Sequence, residues 1–215
     1  MKWIILVPDG AADEPCAQLN GKTPLEAAHT VNMDYMAQNG LCGLVKTIPD
    51  GLAPGSDVGN LALLGYDPQV NFSGRAPLEA ANMGIILKAD EVAFRCNLVT
   101  VIDGKMADYS AGHIDSEEAR NLIEDLQRAI DWPDVRFYPG KGYRHLMVVK
   151  SLNVEKLSAI KTMAPHDILG QPIAGHLPSG PQSEILLTLM EKSRKILGGH
   201  AINHAREGLG DKPAN

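Results

Sequence analysis

The sequence predicts an α/β fold with a mostly parallel sheet and flanking helices. The segment KWIILVP at 2–8 is a continuous apolar run that ends in Asp-Gly, a pattern typical of a buried central strand. A helical pattern follows at 23–40, and a second apolar run, LCGLVKTI, occupies 41–48. The order strand, helix, strand is typical of parallel strands joined by a crossover helix.

The first helix has clear signals at both ends. Thr23 suits the N-cap position, and Glu26 completes a capping box. Pro24 suits the first helical position, and Gly40 marks the end of the helix. After the second apolar run, a loop rich in Gly and Pro leads into the short helical segment DVGNLALLGY at 57–66.

The rest of the chain predicts one further strand, a hairpin and two helices. VAFRCNLVTV at 92–101 alternates as a half-buried strand does. DSEEARNLIEDLQRAI at 115–130 predicts a helix in which Asp115 and Glu118 form a capping pair. VRFYP and HLMVVK around GKGYR predict the hairpin, and SEILLTLMEKSRKILGG at 183–199 predicts the last helix.

Composition argues against several classes of partner. The formal net charge of -6 and the pI of about 5.6 disfavour a nucleic-acid partner, which requires a basic face. The apolar run at 2–8 is far too short to span a bilayer, so no membrane partner is expected. The three cysteines have no CxxC spacing, which is typical of free thiols in a reducing, cytoplasmic compartment.

Asp9 and Ser56 are the first candidates for chemistry. Asp9 follows a predicted strand at the edge where open α/β sheets bind ligands, which suits a metal ligand or a base; a turn-forming Asp-Gly is the competing interpretation. Ser56 lies where a glycine-rich loop becomes a helix, so its default role is an N-cap. As a nucleophile it would use the anion-stabilising helix N-terminus, with a metal ion at the alkoxide. The sequence contains no GxSxG motif, so it gives little support to a serine hydrolase.

Several polar residues in the middle of the chain are candidate ligands for an anionic small molecule. Arginines bind phosphate and carboxylate groups by paired hydrogen bonds, and arginines beside glycines in an acidic protein favour such a substrate. For each single residue, a surface or salt-bridging role competes. His166 and Asp167, in a polar loop, suit either ligands or a turn. The candidates are Arg75, Arg95, Asp108, His113, Arg144 and His145.

Six segments carry a family resemblance over nearly the whole chain. In order they are LVPDGAADEP, TPLEAAHTVNMD, GSDVGNLALLGYDP, GRAPLEA, VAFRCNLVTV and YSAGHI. Together they resemble the archaeal-type, cofactor-independent phosphoglycerate mutases of the alkaline phosphatase superfamily. The resemblance implies an α/β fold with part of an alkaline-phosphatase-like core at 1–72 and 181–215. It also implies an inserted α+β lid domain at 73–180, which binds the substrate and excludes water.

The resemblance also implies a reaction and its residues. Ser56 corresponds to a nucleophile that takes the phosphoryl group of 3-phosphoglycerate and returns it to the other hydroxyl, giving 2-phosphoglycerate. Asp9 and Ser56 correspond to ligands of two divalent metal ions, of manganese or zinc type, with magnesium possible. The residues expected to bind substrate are Asp108, His113, Arg144, Arg95 and Arg75.

The implied metal site lacks ligands in this chain. Catalytic metals generally need about three protein ligands each, and Asp9 and Ser56 are two. Family members are longer, and we expect the remaining ligands after Asn215, so residues 1–215 alone should have weak or no mutase activity. The alternatives are another phosphoryl-transfer enzyme of the superfamily, such as a phosphopentomutase or a phosphatase, and a non-catalytic module that binds an anionic metabolite.

Overall fold

The computed structural model describes residues 1–215 and divides the chain into two units. Unit 1 is Met1–Phe72 and unit 2 is Ser73–Asn215. Residues 181–215 belong to unit 2, whereas the family resemblance implies a common core portion with 1–72. None of the helices combines the length and the hydropathy that a membrane span requires.

Unit 1 contains four short helices. These are α1 (Pro24–Ala27), α2 (Val31–Asn39), α3 (Ser56–Leu63) and α4 (Pro68–Asn71). The capping box that begins α1 is confirmed, because Glu26 N donates to Thr23 Oγ1 at 3.2 Å and Thr23 N donates to Glu26 Oε2 at 2.8 Å. The helix predicted over 23–40 is two helices, since Ala28 adopts an extended conformation between them.

The two apolar runs of unit 1 form no strand, so the two strands predicted there are wrong. Residues 2–8 and 41–48 have no regular secondary structure, and all but Thr47 and Ile48 are exposed, for example Trp3 to 86% and Ile4 to 88%. A strand needs a neighbour that pairs with its N–H and C=O groups, and no strand ladder lies in unit 1. The sheets of the chain are antiparallel, and the predicted parallel sheet is not confirmed.

Unit 2 contains all five strands, which form two sheets. They are β1 (Glu91–Asn97), β2 (Thr100–Ile102), β3 (Lys105–Asp108), β4 (Val135–Lys141) and β5 (Arg144–Lys150). The larger sheet has the order β1-β5-β4, and β2 pairs with β3 in the smaller one. The predicted hairpin is confirmed as β4 and β5, and the predicted strand over 92–101 is split between β1 and β2.

Helices cover both faces of the larger sheet. They are α5 (Arg75–Asn82), α6 (Ser116–Ala129), α7 (Val154–Ser158), α8 (Ser183–Gly198) and α9 (Ala201–Leu209). On one face, alanines of α5 pack against apolar side chains of β1 and β5. On the other face lies the main core, to which α6 and α8 contribute. Its largest fully buried side chains are Leu122, Ile123, Leu126 and Leu157.

The end of the chain is bonded into unit 2. Asn215 N donates to Val99 O at 3.1 Å, and Val101 N donates to Asn215 Oδ1 at 2.7 Å. Thr100 Oγ1 donates to Pro213 O at 2.6 Å. These bonds, together with the packing of α8 in the main core, place residues 181–215 with the sheet of unit 2.

A leucine pair tests the position of the core. Leu122 on α6 is fully buried, whereas Leu152 is 98% exposed. Leu122→Ala should lower the free energy of unfolding by about 2–5 kcal/mol, because it leaves a cavity in the core. Leu152→Ala should change it by less than about 0.5 kcal/mol. Urea denaturation measures both; equal losses would contradict the described core.

Candidate active site

Asp9 and Ser56 meet in unit 1, although 46 residues separate them in the sequence. Ser56 Oγ donates a hydrogen bond to Asp9 Oδ2 at 2.9 Å. Ser56 is the first residue of α3, and Gly55 takes the N-cap position without a side-chain cap. The serine hydroxyl therefore bonds to the carboxylate and does not cap the helix. Since the N-terminus of a helix favours negative charge, this position suits an oxygen that becomes anionic.

The Asp57 side chain lies close to the glycine that precedes the serine. A Cβ atom on Gly55 would lie 2.4 Å from Asp57 Oδ1. The Asp57 carboxylate in turn accepts a hydrogen bond from Val58 N at 3.0 Å, within the first turn of α3. A side chain at position 55 would therefore require the Asp57 carboxylate to move.

The fit of this pair to a metal ion is partial. Carboxylate and hydroxyl oxygens are hard ligands that suit manganese or magnesium. No group of three or more His, Cys, Asp or Glu side chains in residues 1–215 is arranged to hold a metal ion. Asp9 and Ser56 would therefore provide part of a metal site, and a complete site needs ligands beyond these two.

Unit 2 contains a cavity of about 480 Å³ whose lining is rich in nitrogen donors. It lies between α5, the start of α6 and the turn that joins β4 to β5. His113 and Arg144, both singled out in the sequence, line it together. Lys141 and Tyr143 line it as well and were not singled out, although both belong to the GKGYR turn.

The backbone that carries His113 is unusual. Ala111, Gly112 and His113 follow one another with φ angles of +49°, +65° and +55°. Non-glycine residues rarely adopt this left-handed region, and such strain persists only where the surrounding structure holds it. The His113 amide N–H donates to Ser110 Oγ at 3.1 Å, and the residue lines the cavity.

Asp108 accepts hydrogen bonds from the loop that carries His113. Its Oδ1 accepts from Ser110 N at 2.7 Å and from Ser110 Oγ at 2.6 Å, and its Oδ2 accepts from Lys212 Nζ at 2.8 Å. Burial alone would raise the pKa of Asp108, but the hydrogen bonds from Lys212 and Ser110 outweigh it and hold the pKa well below its usual value. Asp108 does not line the cavity, and a direct contact with substrate stays a prediction.

The three predicted arginines have different surroundings. Arg144 is exposed, and its Nε donates to Tyr143 Oη at 3.0 Å. Arg95 Nε lies 2.9 Å from Glu79 Oε1, so the arginine that interrupts the strand forms an ion pair with α5. Arg75 begins α5 directly after Gly74. Of these three, only Arg144 lines the cavity.

His145 is a buried neighbour of the cavity lining, since it bonds to Gly140 and follows Arg144. It is 2% exposed, and its Nδ1 accepts a hydrogen bond from Gly140 N at 3.0 Å, which leaves the proton of the neutral ring on Nε2. That buried Nε2 has no partner. Burial, with a smaller contribution from the charge of Arg120, lowers the pKa of His145 to about 4. In the other polar loop, His166 Nε2 lies 3.4 Å from Asp167 Oδ1 at the surface, and the two residues belong to no metal-binding group.

A family model described as 2,3-bisphosphoglycerate-independent phosphoglycerate mutase matches residues 37–203. The chain belongs to this family. The resemblance seen in the sequence is thereby confirmed, and the mixed α/β fold agrees with that of solved relatives.

Relatives extend the match over the whole chain. The chain is 51% identical over 215 residues to the 2,3-bisphosphoglycerate-independent phosphoglycerate mutase of Methanothrix thermoacetophila, covering 100% of this chain and 53% of that protein. It is 48% identical to the probable mutase of Geobacter sulfurreducens, covering 100% of this chain and 54% of that protein. The chain thus spans about half the length of the curated relatives it matches.

Two solved structures are similar. The cofactor-independent phosphoglycerate mutase from Thermoplasma acidophilum superposes with a TM-score of 0.57 and 28% identity, over 96% of this chain and 55% of that one. A protein from Pyrococcus horikoshii superposes with a TM-score of 0.71 and 27% identity, over 96% of this chain and 47% of that one.

The buried His145 predicts an acid-sensitive stability. An unfolded histidine binds a proton below a pKa of 6.5, whereas His145 in the fold binds one only near pH 4. Between these values the unfolded state holds more protons, so the free energy of unfolding should fall as the pH falls, by about 3 kcal/mol in total. His145→Asn, in which Oδ1 can still accept from Gly140 N, should remove this contribution. Urea denaturation at several pH values measures it.

The matched control is His204→Asn, at an exposed histidine of α9. It should leave the slope of stability against pH unchanged between pH 4 and 6.5. If His145→Asn has the same slope as the wild type, the assignment of a neutral, buried His145 is wrong.

Proposed function

We propose that this chain provides the nucleophile and an anion-binding cavity for the interconversion of 3-phosphoglycerate and 2-phosphoglycerate. The observation that carries the proposal is the 2.9 Å hydrogen bond from Ser56 Oγ to Asp9 Oδ2 at the start of α3. Membership of the phosphoglycerate mutase family supports the choice of substrate. The reaction is an isomerisation, in which the phosphoryl group leaves one hydroxyl of glycerate and returns to the other.

Ser56 is the temporary holder of the phosphoryl group. Its Oγ attacks phosphorus and forms a phosphoserine, while the released glycerate oxygen takes a proton. The other glycerate hydroxyl then loses its proton and attacks the phosphoserine, which restores Ser56. A free serine hydroxyl is a weak nucleophile, so it needs help to lose its proton. The Asp9 carboxylate already accepts a hydrogen bond from this hydroxyl and so lies in position to take its proton.

Divalent metal ions of the manganese, magnesium or zinc type belong to this proposal. When bound, such ions stabilise an alkoxide and neutralise charge on a transferring phosphoryl group. Asp9 and Ser56 are the residues of this chain that would contact them. Because these two donors form only part of a site, we expect residues 1–215 alone to bind manganese weakly and to turn over slowly or not at all.

The cavity of unit 2 suits the glycerate portion of the substrate. A phosphoglycerate carries a phosphate and a carboxylate, and His113, Lys141 and Arg144 present nitrogen donors around one cavity. The one carboxylate of the lining, Glu79, is paired with Arg95. Its negative charge is therefore partly neutralised, and the cavity favours an anion. These donors would hold the glycerate by its anionic groups.

A second candidate is a non-catalytic role for residues 1–215, in which the cavity binds an anionic metabolite without turnover. The lack of a group of three metal ligands favours it. Metal content after dialysis against manganese separates the two candidates. The other enzyme alternatives are a phosphatase and a phosphopentomutase. A phosphatase would release free phosphate, and a phosphopentomutase would act on a pentose phosphate.

Ser56→Ala tests the nucleophile. The gene product that carries this chain is given 3-phosphoglycerate and manganese, and phosphorus NMR follows the products. The variant should lose 2-phosphoglycerate formation by at least about 10³-fold, because the covalent route has no phosphoryl acceptor. Ser158→Ala, at an exposed serine of α7, is the control and should retain activity. Activity in Ser56→Ala would refute the phosphoserine route, and release of free phosphate alone would indicate a phosphatase.

Arg144→Met tests the cavity. Calorimetry with 3-phosphoglycerate should show binding to the variant that is weaker by roughly 10- to 100-fold, since a hydrogen bond to a charged group contributes about 1.5–3 kcal/mol. The matched control is Arg136→Met, at an exposed arginine of β4 that does not line the cavity. Equal affinities of the two variants would show that the cavity does not hold the substrate.

A further inference from the structure

Arg206 is a buried charged residue to which the proposed function gives no role. It lies on α9 and is 6% exposed. Its Nη2 donates to Ala111 O at 2.8 Å, and its Nε donates to Lys212 O at 3.0 Å. Its Nη1 forms an ion pair with Glu118 of α6. A buried guanidinium with three partners is costly to disturb, because any lost partner leaves a donor or a charge unpaired.

One partner of Arg206 belongs to the strained loop of the cavity. Ala111, whose carbonyl oxygen accepts from Arg206, has a φ of +49° and is fully buried. Left-handed conformation costs roughly 1–2 kcal/mol for a non-glycine residue, so Ala111 and His113, on either side of Gly112, need external support. Arg206 provides that support at Ala111.

Lys212 supports the same loop from the other side. Its Nζ donates to Asp108 Oδ2 at 2.8 Å, and its Cβ lies 3.2 Å from the position that a Cβ on Gly112 would occupy. The backbone of Lys212 is itself fixed by Arg206, through its carbonyl oxygen. Arg206 and Lys212, which we name the C-terminal clamp, therefore form one connected set of contacts around residues 108–113.

We propose that the C-terminal clamp positions His113. By fixing the carbonyl of Ala111 and the carboxylate of Asp108, it keeps residues 111–113 in left-handed conformation and so sets where the His113 imidazole lies in the cavity. The chemical identity of the ligand rests on the proposed function, but the placement of His113 does not. Arg206 and Lys212 are positioning residues, since neither lines the cavity.

A merely structural role for Arg206 would act through its ion pair with Glu118. Glu118→Gln removes that charge and leaves both carbonyl contacts of Arg206 in place. Arg206→Lys keeps a positive charge near Glu118, but a single ammonium group has no planar fork to reach the two carbonyls. Comparing these two variants separates positioning of the loop from simple attachment of α9 to α6.

The experiment measures His113 directly by NMR in chain 1–215, first without ligand. In Arg206→Lys, the His113 imidazole and backbone signals should shift, and the His113 amide should exchange with solvent at least about tenfold faster. Lys212→Met should shift the same signals, because it frees Asp108 Oδ2. Glu118→Gln should leave them near their wild-type positions. Arg194→Lys, at an exposed arginine of α8, controls for the substitution itself.

The second readout is the affinity for 3-phosphoglycerate, which should fall by about tenfold in both clamp variants, because a misplaced group loses its contact with the ligand. Unchanged His113 signals in the folded clamp variants would overturn the proposal. If Arg206→Lys does not fold, Lys212→Met decides, since the Lys212 side chain is half exposed and its loss leaves the core intact. If the wild type binds no 3-phosphoglycerate while the clamp variants move His113, the proposed function fails and the clamp stands.

Discussion

The pairing of β5 on both of its edges is the constraint on which unit 2 depends. Met147 lies between Phe94 of β1 and Phe137 of β4, and the run from Leu146 to Val149 is buried. Each face of this sheet is then covered by helices. The strand begins with Arg144, which lines the cavity, and with a histidine that accepts a hydrogen bond from β4. Strand pairing therefore sets the position of the cavity wall, because a shift of one residue would move each side chain to the opposite face.

The requirement for strand pairing also explains why the structure of unit 1 lacks the two strands predicted from its sequence. The runs at 2–8 and 41–48 have the composition of buried strands, which predicts burial, yet most of their side chains are exposed. A pattern does not reveal where a pairing partner lies. Without a neighbouring strand in residues 1–215, both runs remain without ladder hydrogen bonds, and their large side chains remain exposed. Exposed apolar surface of this extent is typical of interaction surfaces.

The site was predictable where local sequence carries the signal. Ser56 follows a glycine-rich loop into a helix, and Asp9 ends an apolar run; both signals lie within a few residues. Lys141, in the same GKGYR turn as the candidate Arg144, was within reach of the same reasoning. Arg206 and Lys212 were not, because their contacts with Ala111 and Asp108 join residues 95 and 104 positions apart. Periodicity and spacing contain no information on such pairs.

The hydrogen bonds divide the charged residues into those that hold the loop and those that face the cavity. An ionised carboxylate offers about four acceptor sites, and Asp108 uses three of them for Ser110 and Lys212. Its depressed pKa keeps it ionised at neutral pH, so these bonds persist. His113 lies at the cavity, and its ring makes no hydrogen bond within the chain. Asp108 therefore has little acceptor capacity left for a ligand, whereas the His113 ring, which lines the cavity, can contact one. The strained loop is therefore best explained as the means of presenting His113, and Asp108 acts through it.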